Sequence, residues 1–206
     1  MPTRDPKPLR RSPGHQRREQ AISVVLQLAA ADSPDRITTA RISEAMGLST
    51  GALFRHFPDK DALWEAVLLR ATSRLDAAFA LCESGGDSPL LVLQEIFNAH
   101  LNFIIEHPGA PRLLFSELQR PDDTAAKRVV REFLGRHADR IRSHLDDGRT
   151  SGEIRPDLDS QAAATLFIGC IQGLVMQSLF NGDPGHLSRT APGIFALFRH
   201  SITEQP

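Results

Sequence analysis

The residues best suited to chemistry lie together in the stretch Ser49 to Lys60, STGALFRHFPDK. It opens on Ser49, Thr50, Gly51 and Ala52. Small residues there let the free N–H groups of a helix's first turn come close to a phosphate or a base edge. Arg55 and His56 follow and can reach phosphate or base acceptors. Lys60 then falls in the first turn of the next helix, against its dipole, at a cost of a few tenths of a kcal/mol unless an anion is near. Asp59 and Asp61 can supply that anion, and so can a DNA phosphate. The chemistry is recognition of a polyanion, not bond making.

Other candidates are weaker. His100 and His107 lie seven residues apart, as do His137 and His144, and a two-turn spacing on one helix is poor for chelation. These read as solvated or pocket-lining histidines. No Ser-His-Asp or Cys-His arrangement can be inferred, and no glycine loop follows a strand, so neither an enzyme nor a cofactor or metal is expected. Cys82 and Cys170 are far apart and form no C-x-x-C pair, which argues against a disulfide framework or a zinc site. No apolar run follows the basic start, so the expected compartment is the cytoplasm.

Charge and punctuation organise the rest. Residues 1–70 hold 11 Lys and Arg against 8 Asp and Glu, and residues 71–206 hold 13 against 17, for a net −1. A basic front end thus precedes a neutral-to-acidic body. Residues 1–14 carry four prolines, a glycine and no apolar period, and read as a disordered basic tail. Helical periodicity then fills the spaces between Pro and Gly breaks. The spacing predicts helices over about His15–Ala31, Thr38–Met46, from Ser49 or Thr50 to Pro58, and from Asp59 to Leu81. Further helices are expected over Pro89–His107, Pro111–Gln119, Asp123–Asp147, from Asp159 through the uncharged run, and over Leu187–Thr203. No segment alternates long enough for a strand, so the chain reads as all-α.

Ser160 to Asn181 is 22 residues without a charge, long enough to span a bilayer. It carries G-x-x-x-G at Gly169 and Gly173, a close-packing signal. Gln161, Thr165, Gln172, Gln177 and Ser178 and the lack of a second span favour a helix buried on nearly all sides in a soluble oligomer instead. The same helix buried within a monomer is the alternative.

The span Ile42 to Ser49 has the grammar of a helix-turn-helix. Ser43 lets a second helix cross closely, Gly47 permits positive φ, and Leu48, Leu53 and Phe57 pack inward beside Ile42 and Met46. Thr38, Ile42-Ser43, Gly47-Leu48-Ser49, Gly51, Leu53-Phe54, His56-Phe57, Lys60 and Leu63 together resemble the TetR family of transcriptional regulators. The resemblance covers about a fifth of the chain. Phe54 departs from it, since the family usually has tyrosine there and this chain has none; the ring can still pack on a sugar or a thymine methyl.

What the resemblance implies is a helix-turn-helix DNA-binding domain over 15–62 and a helical ligand-binding and dimerisation domain over 63–206. DNA contacts would come from Thr38, Ser49, Thr50, Gly51, Phe54, Arg55, His56 and Lys60, on a palindromic double-stranded operator. A small-molecule effector would meet Phe97, His100, Phe103, Phe115, Phe133 and His137. A homodimer would form through the last two helices, with Leu166, Gly169, Cys170, Gly173, Met176, Phe180, Phe195 and Phe198 in its seam. The rival reading is a helical interaction protein or an enzyme whose helix-turn-helix is only a packing unit.

Overall fold

A computed structural model describes residues 13–85, 88–183 and 185–203. Helix α1 spans Pro13–Ala31, α2 Thr39–Ala45, α3 Thr50–Phe54, α4 Lys60–Glu83 and α5 Pro89–Glu106. Then come α6 Gly109–Gln119, α7 Ala125–Ser151, α8 Ser160–Asn181 and α9 Gly185–Ile202, with one 3₁₀ turn at Pro34–Arg36. Among the described residues there is no strand. The basic tail expected over 1–14 lies outside the described residues as far as residue 12. Pro13 and Gly14 belong to α1 instead, proline being well suited to a helix's first position.

Six of the starts are set by a side chain accepting from the first turn: Thr38 for α2, Ser49 for α3, Asp59 for α4, Ser88 for α5, Thr124 for α7 and Asp159 for α8. Such caps satisfy backbone donors that a helix leaves free. Helix α7 runs past the expected end at Asp147 to Ser151. Its stop is Gly152 at φ 80°, where the Glu153 N–H returns to the Gly148 carbonyl at 2.9 Å. Gly148 lies within the helix, and a Cβ there would stand 2.6 Å from Ile154 Cδ1, so the glycine makes room for that side chain.

Two hydrophobic cores result. The first joins Ala21, Ile22 and Val25 of α1 to Ile42, Leu53, Phe57 and the Leu63–Leu68 half of α4, and reaches Leu113 of α6 and Val130 of α7. The second holds Leu75 and Phe79 of α4 with the inner faces of α5, α7, α8 and α9. Helix α4 belongs to both, so the first core extends past residue 62. Arg70 of α4 pairs with Glu19 of α1 at 2.8 Å. Arg140 of α7 pairs with Glu83 at 2.9 Å and with Asp76 at 3.2 Å.

The α1–α6 crossing depends on Gly109. A Cβ there would stand 2.1 Å from the Leu26 carbonyl oxygen and 2.9 Å from the Ala30 nitrogen. Backbone meets backbone at that point, and only glycine fits.

Helix α8 is packed on one face and bare on the other. Phe167, Ile171 and Leu174 are buried, whereas Phe180 is 84% and Leu166 51% exposed, with Met176 beside them. A Cβ on Gly169 or Gly173 would meet nothing within 4 Å. The uncharged helix is therefore not surrounded within one protomer. Its inner face takes part in a protein core, so its length and composition do not mark a membrane span. Phe195 and Phe198 of α9, expected in the dimer seam, are turned inward onto Phe97 and Phe167 and are almost wholly buried. The large exposed hydrophobic of α9 among the described residues is Leu197, 69% exposed.

Candidate nucleic-acid interface and the cavity behind it

Helix α3 is held from beneath and from both ends. The turn before it is made by Gly47 at φ 65°, with the Leu48 N–H donating to the Ser43 carbonyl at 2.9 Å. The Ser49 hydroxyl accepts from the Ala52 N–H at 3.3 Å. Leu53 and Phe57 are buried against Ile22, Val25 and Ile42. Ser43 is buried as well, its hydroxyl donating to the Thr39 carbonyl. The helix stops at Phe54, about two residues before Pro58 would force it to, with Arg55 as its C-cap.

Arg18 of α1 closes that end. Its guanidinium donates to the His56 carbonyl at 2.6 Å and lies 4.3 Å from the Phe57 ring centroid. Sequence reasoning missed this residue, because nothing in the spacing of a basic helix says which arginine reaches a carbonyl 38 residues on. Arg41 fixes the other flank by pairing with Asp32 at 2.6 Å. That hydrogen bond, with one from the Ser33 N–H, holds the Asp32 carboxyl below its usual range.

The outward face carries the expected residues. Thr38, Ser49, Gly51, Phe54 and Arg55 are exposed, and Thr50, His56 and Lys60 partly so. Space is open where a Gly51 Cβ would stand. Lys60 is not balanced by its neighbouring aspartates. Asp59 accepts from the Ala62 N–H at 2.7 Å, and Asp61 accepts from Arg120 at 2.8 Å. The Lys60 ammonium lies 4.6 Å from the centroid of the buried Trp64 ring. A cation–π contact of this kind is worth about 0.5–1 kcal/mol, enough to offset the few tenths lost to the dipole.

Behind this face a cleft of about 690 Å³, its mouth included, opens between α4, α5, α6, α7 and α8. Its walls are apolar: Leu68, Ala71 and Leu75 of α4 face Phe115 of α6, Phe133 of α7 and Ile168 of α8. Of the residues expected at a ligand, His100, Phe103, Phe115 and Phe133 line it. Phe97 and His137 do not: Phe97 is spent on the core rings of Phe167 and Phe195, and His137 stacks behind the wall on Phe79 at 4.7 Å.

The fold pairs histidines that sequence spacing had separated. His100 of α5 and His137 of α7 meet edge to face with centroids 5.3 Å apart. Burial, and then the nearby His137, lower His100 to about 3; burial, and then Arg140, lower His137 to about 4. His100 Nδ1 and both His137 nitrogens are buried without a hydrogen bond among the described residues. Among the described residues, no group of three or more His, Cys, Asp or Glu is placed to hold a metal ion.

Residues 22–67, from α1 into α4, match the family described as bacterial regulatory proteins, tetR family, and residues 117–194 match the tetracyclin repressor-like C-terminal domain. The chain is 26% identical over 164 residues to the nucleoid occlusion factor SlmA of Marinobacter nauticus, covering 78% of this chain and 83% of that one. It is 30% identical over 122 residues to the SlmA of Actinobacillus pleuropneumoniae serotype 5b, covering 58% of this chain and 60% of that one. In fold it is similar to the transcriptional regulator FadR from Bacillus subtilis in complex with stearoyl-CoA. That likeness has a TM-score of 0.77 at 16% identity, over 89% of this chain and 98% of that one.

The histidine pair predicts a pH dependence of stability. The folded chain keeps both imidazoles neutral to about pH 4, while the unfolded chain takes up protons below about pH 6.5. Lowering the pH from 7 to 5 therefore favours unfolding, by at most about 2 kcal/mol for each histidine. Urea midpoints at both values should show the loss, and His137→Phe should remove up to half of the pair's share. An equal loss in the variant would contradict the assignment.

Proposed function

Because the chain belongs to the TetR family of transcriptional regulators, we propose that this DNA-binding protein is a cytoplasmic homodimeric repressor released from a palindromic operator by a small molecule. The observation that carries the reading is the exposed Ser49–Arg55 face of α3, seated on buried Leu53 and Phe57 inside the matched segment. The α2–α3 unit serves DNA recognition and not packing alone, since its outer residues other than Phe54 are polar or small and the space at Gly51 is open. The functional division is residues 15–62 for DNA and 63–206 for effector and partner.

In this reading Ser49, Thr50 and Gly51 let α3 enter a major groove, Arg55 and His56 meet bases or phosphates, and Thr38 and Lys60 hold the backbone. Phe54, 42% exposed, offers a ring where a tyrosine would add a hydroxyl. The apolar cleft receives the effector, and the acyl chain of the stearoyl-CoA in complex with the Bacillus subtilis FadR supports one with an apolar portion. An effector acts only through unequal affinity for two arrangements of the protein. Helices α4 and α6 line the cleft and also pack on α1, so occupancy there bears directly on how α3 is held.

The second protomer covers the bare face of α8 and Leu197. Leu166, Gly169, Cys170, Gly173, Met176 and Phe180 supply the seam, the glycines allowing close approach. Burying such an apolar face is the usual basis of a stable two-fold dimer.

Two measurements test this. Titration of DNA from upstream of the chain's own gene, at several salt concentrations, should show specific binding. Lys60→Ala should weaken binding to all sequences alike and lower the salt slope by about one unit per protomer. An unchanged slope would mean that the lysine serves only Trp64. Sedimentation at micromolar concentration should show a dimer. Gly173→Leu should shift it toward monomer without a loss of protomer fold, because the added side chain meets open space within the protomer. A monomeric wild type would remove the repressor dimer.

A further inference from the structure

Among the described residues three polar side chains, Thr72, His100 and Gln172, line the cleft, and their situations differ. The proton of the Thr72 hydroxyl is already spent, donated to the Leu68 carbonyl at 3.0 Å and to that of Leu69 at 3.2 Å. Gln172 stands exposed on α8, at the rim. Thr72 can still accept a bond but has no proton left to donate, whereas the His100 imidazole keeps both a donor and an acceptor nitrogen. Its Nδ1 is buried without a partner, and neither its neighbour His137 nor the Phe79 and Phe133 rings around it can satisfy it. Nδ1 itself is closed off from the cleft, but His100 lines it and is only partly buried, so the edge of its ring that meets the cleft can bond a ligand's polar group.

Charge is absent from the same wall. Among the described residues, no Asp, Glu, Lys or Arg lines the cleft. Arg140, the cation that bears on this region, lies behind Phe79 at 5.5 Å from its centroid and is engaged by Glu83 and Asp76. An anionic or cationic ligand would lose its hydration here and meet no counter-charge. The imidazole cannot provide one cheaply, because His137 at its edge and the aromatic walls oppose a proton on it.

From this geometry we infer that the cleft is specific for an uncharged, largely apolar molecule with one hydroxyl or carbonyl group, which hydrogen-bonds to the His100 imidazole. The apolar part lies along Leu68, Leu75 and Phe115, and the polar group is turned toward α5. His100 is thus the specificity-determining residue of the site. This assignment rests on the cleft being the effector site, but it concerns which ligand enters and not what entry does to DNA.

Calorimetry with three probes of equal chain length separates the possibilities: 1-decanol, decanoate and decylammonium. At pH 7 the full chain should bind 1-decanol at least tenfold more tightly than either charged probe. His100→Leu should lower the decanol affinity about tenfold, and His100→Gln, which keeps a hydrogen-bonding side chain, should recover most of it. Affinity for decanol should be flat between pH 5.5 and 8, as a neutral imidazole requires. Tighter binding of decanoate, no binding by any of the three, or a decanol affinity indifferent to His100→Leu in a folded variant would overturn the assignment. Decanol that binds through His100 yet leaves DNA affinity unchanged would uphold the ligand class and contradict the effector reading alone.

Discussion

The constraint on which the rest depends is that α4 is one unbroken helix shared by two cores. Its 24 residues span about 36 Å. Asp59 caps it beside the end of α3, Leu63 to Leu68 pack under α1, and Leu68 to Leu75 form a wall of the cleft. A helix of this kind curves gently but does not kink sharply without a proline, a glycine or a group inserted into its hydrogen-bond ladder. Its interior, Asp61 to Glu83, has neither proline nor glycine. A displacement at the cleft therefore has to be carried to the α3 end or absorbed by repacking. The second connection, α6 on α1, is as stiff, because at Gly109 two backbones touch with no side chain between them.

The protein places its polar costs in a consistent way. Ion pairs fasten α4 to its neighbours at Glu19, Asp76 and Glu83, all partly exposed positions where pairing is geometric more than energetic. Among the described residues, buried nitrogens without a hydrogen bond occur at Arg70 and Arg155 and, in the aromatic centre, at His100 and His137. An apolar residue at either histidine would pack as well and cost less. Keeping an imidazole at His100 suits a cavity wall that recognises a polar group, with His137 stacked behind it.

Much of this was legible in the sequence. The helix-turn-helix was, because its signals are local: a hydroxyl cap at Thr38, a glycine where φ is positive, a second cap at Ser49, and apolar residues at helical spacing. The bare α8 face was half legible. Its lack of charge announced an unusual environment, but which side meets the protomer is decided by Phe167 and Ile171 packing inward. Phe195 and Phe198 were misplaced for the same reason, since one helix period does not say which neighbour a ring will meet. Likewise the meeting of His100 with His137, the Arg18 bond to His56 and the seat of Lys60 on Trp64 depend on how helices cross, and crossing is a tertiary property. Trp64 lies four residues after Lys60, so that last contact had a local signal that was available.

The central claim is that the protein presents α3 in pairs to successive major grooves. Hydroxyl-radical footprinting of a bound DNA fragment tests it most directly. The account predicts protected patches related by a two-fold axis, on one face of the duplex, with centres about one helical turn, or a multiple of it, apart. A single unsymmetrical patch, or protection with no preferred sequence at any salt concentration, would contradict it.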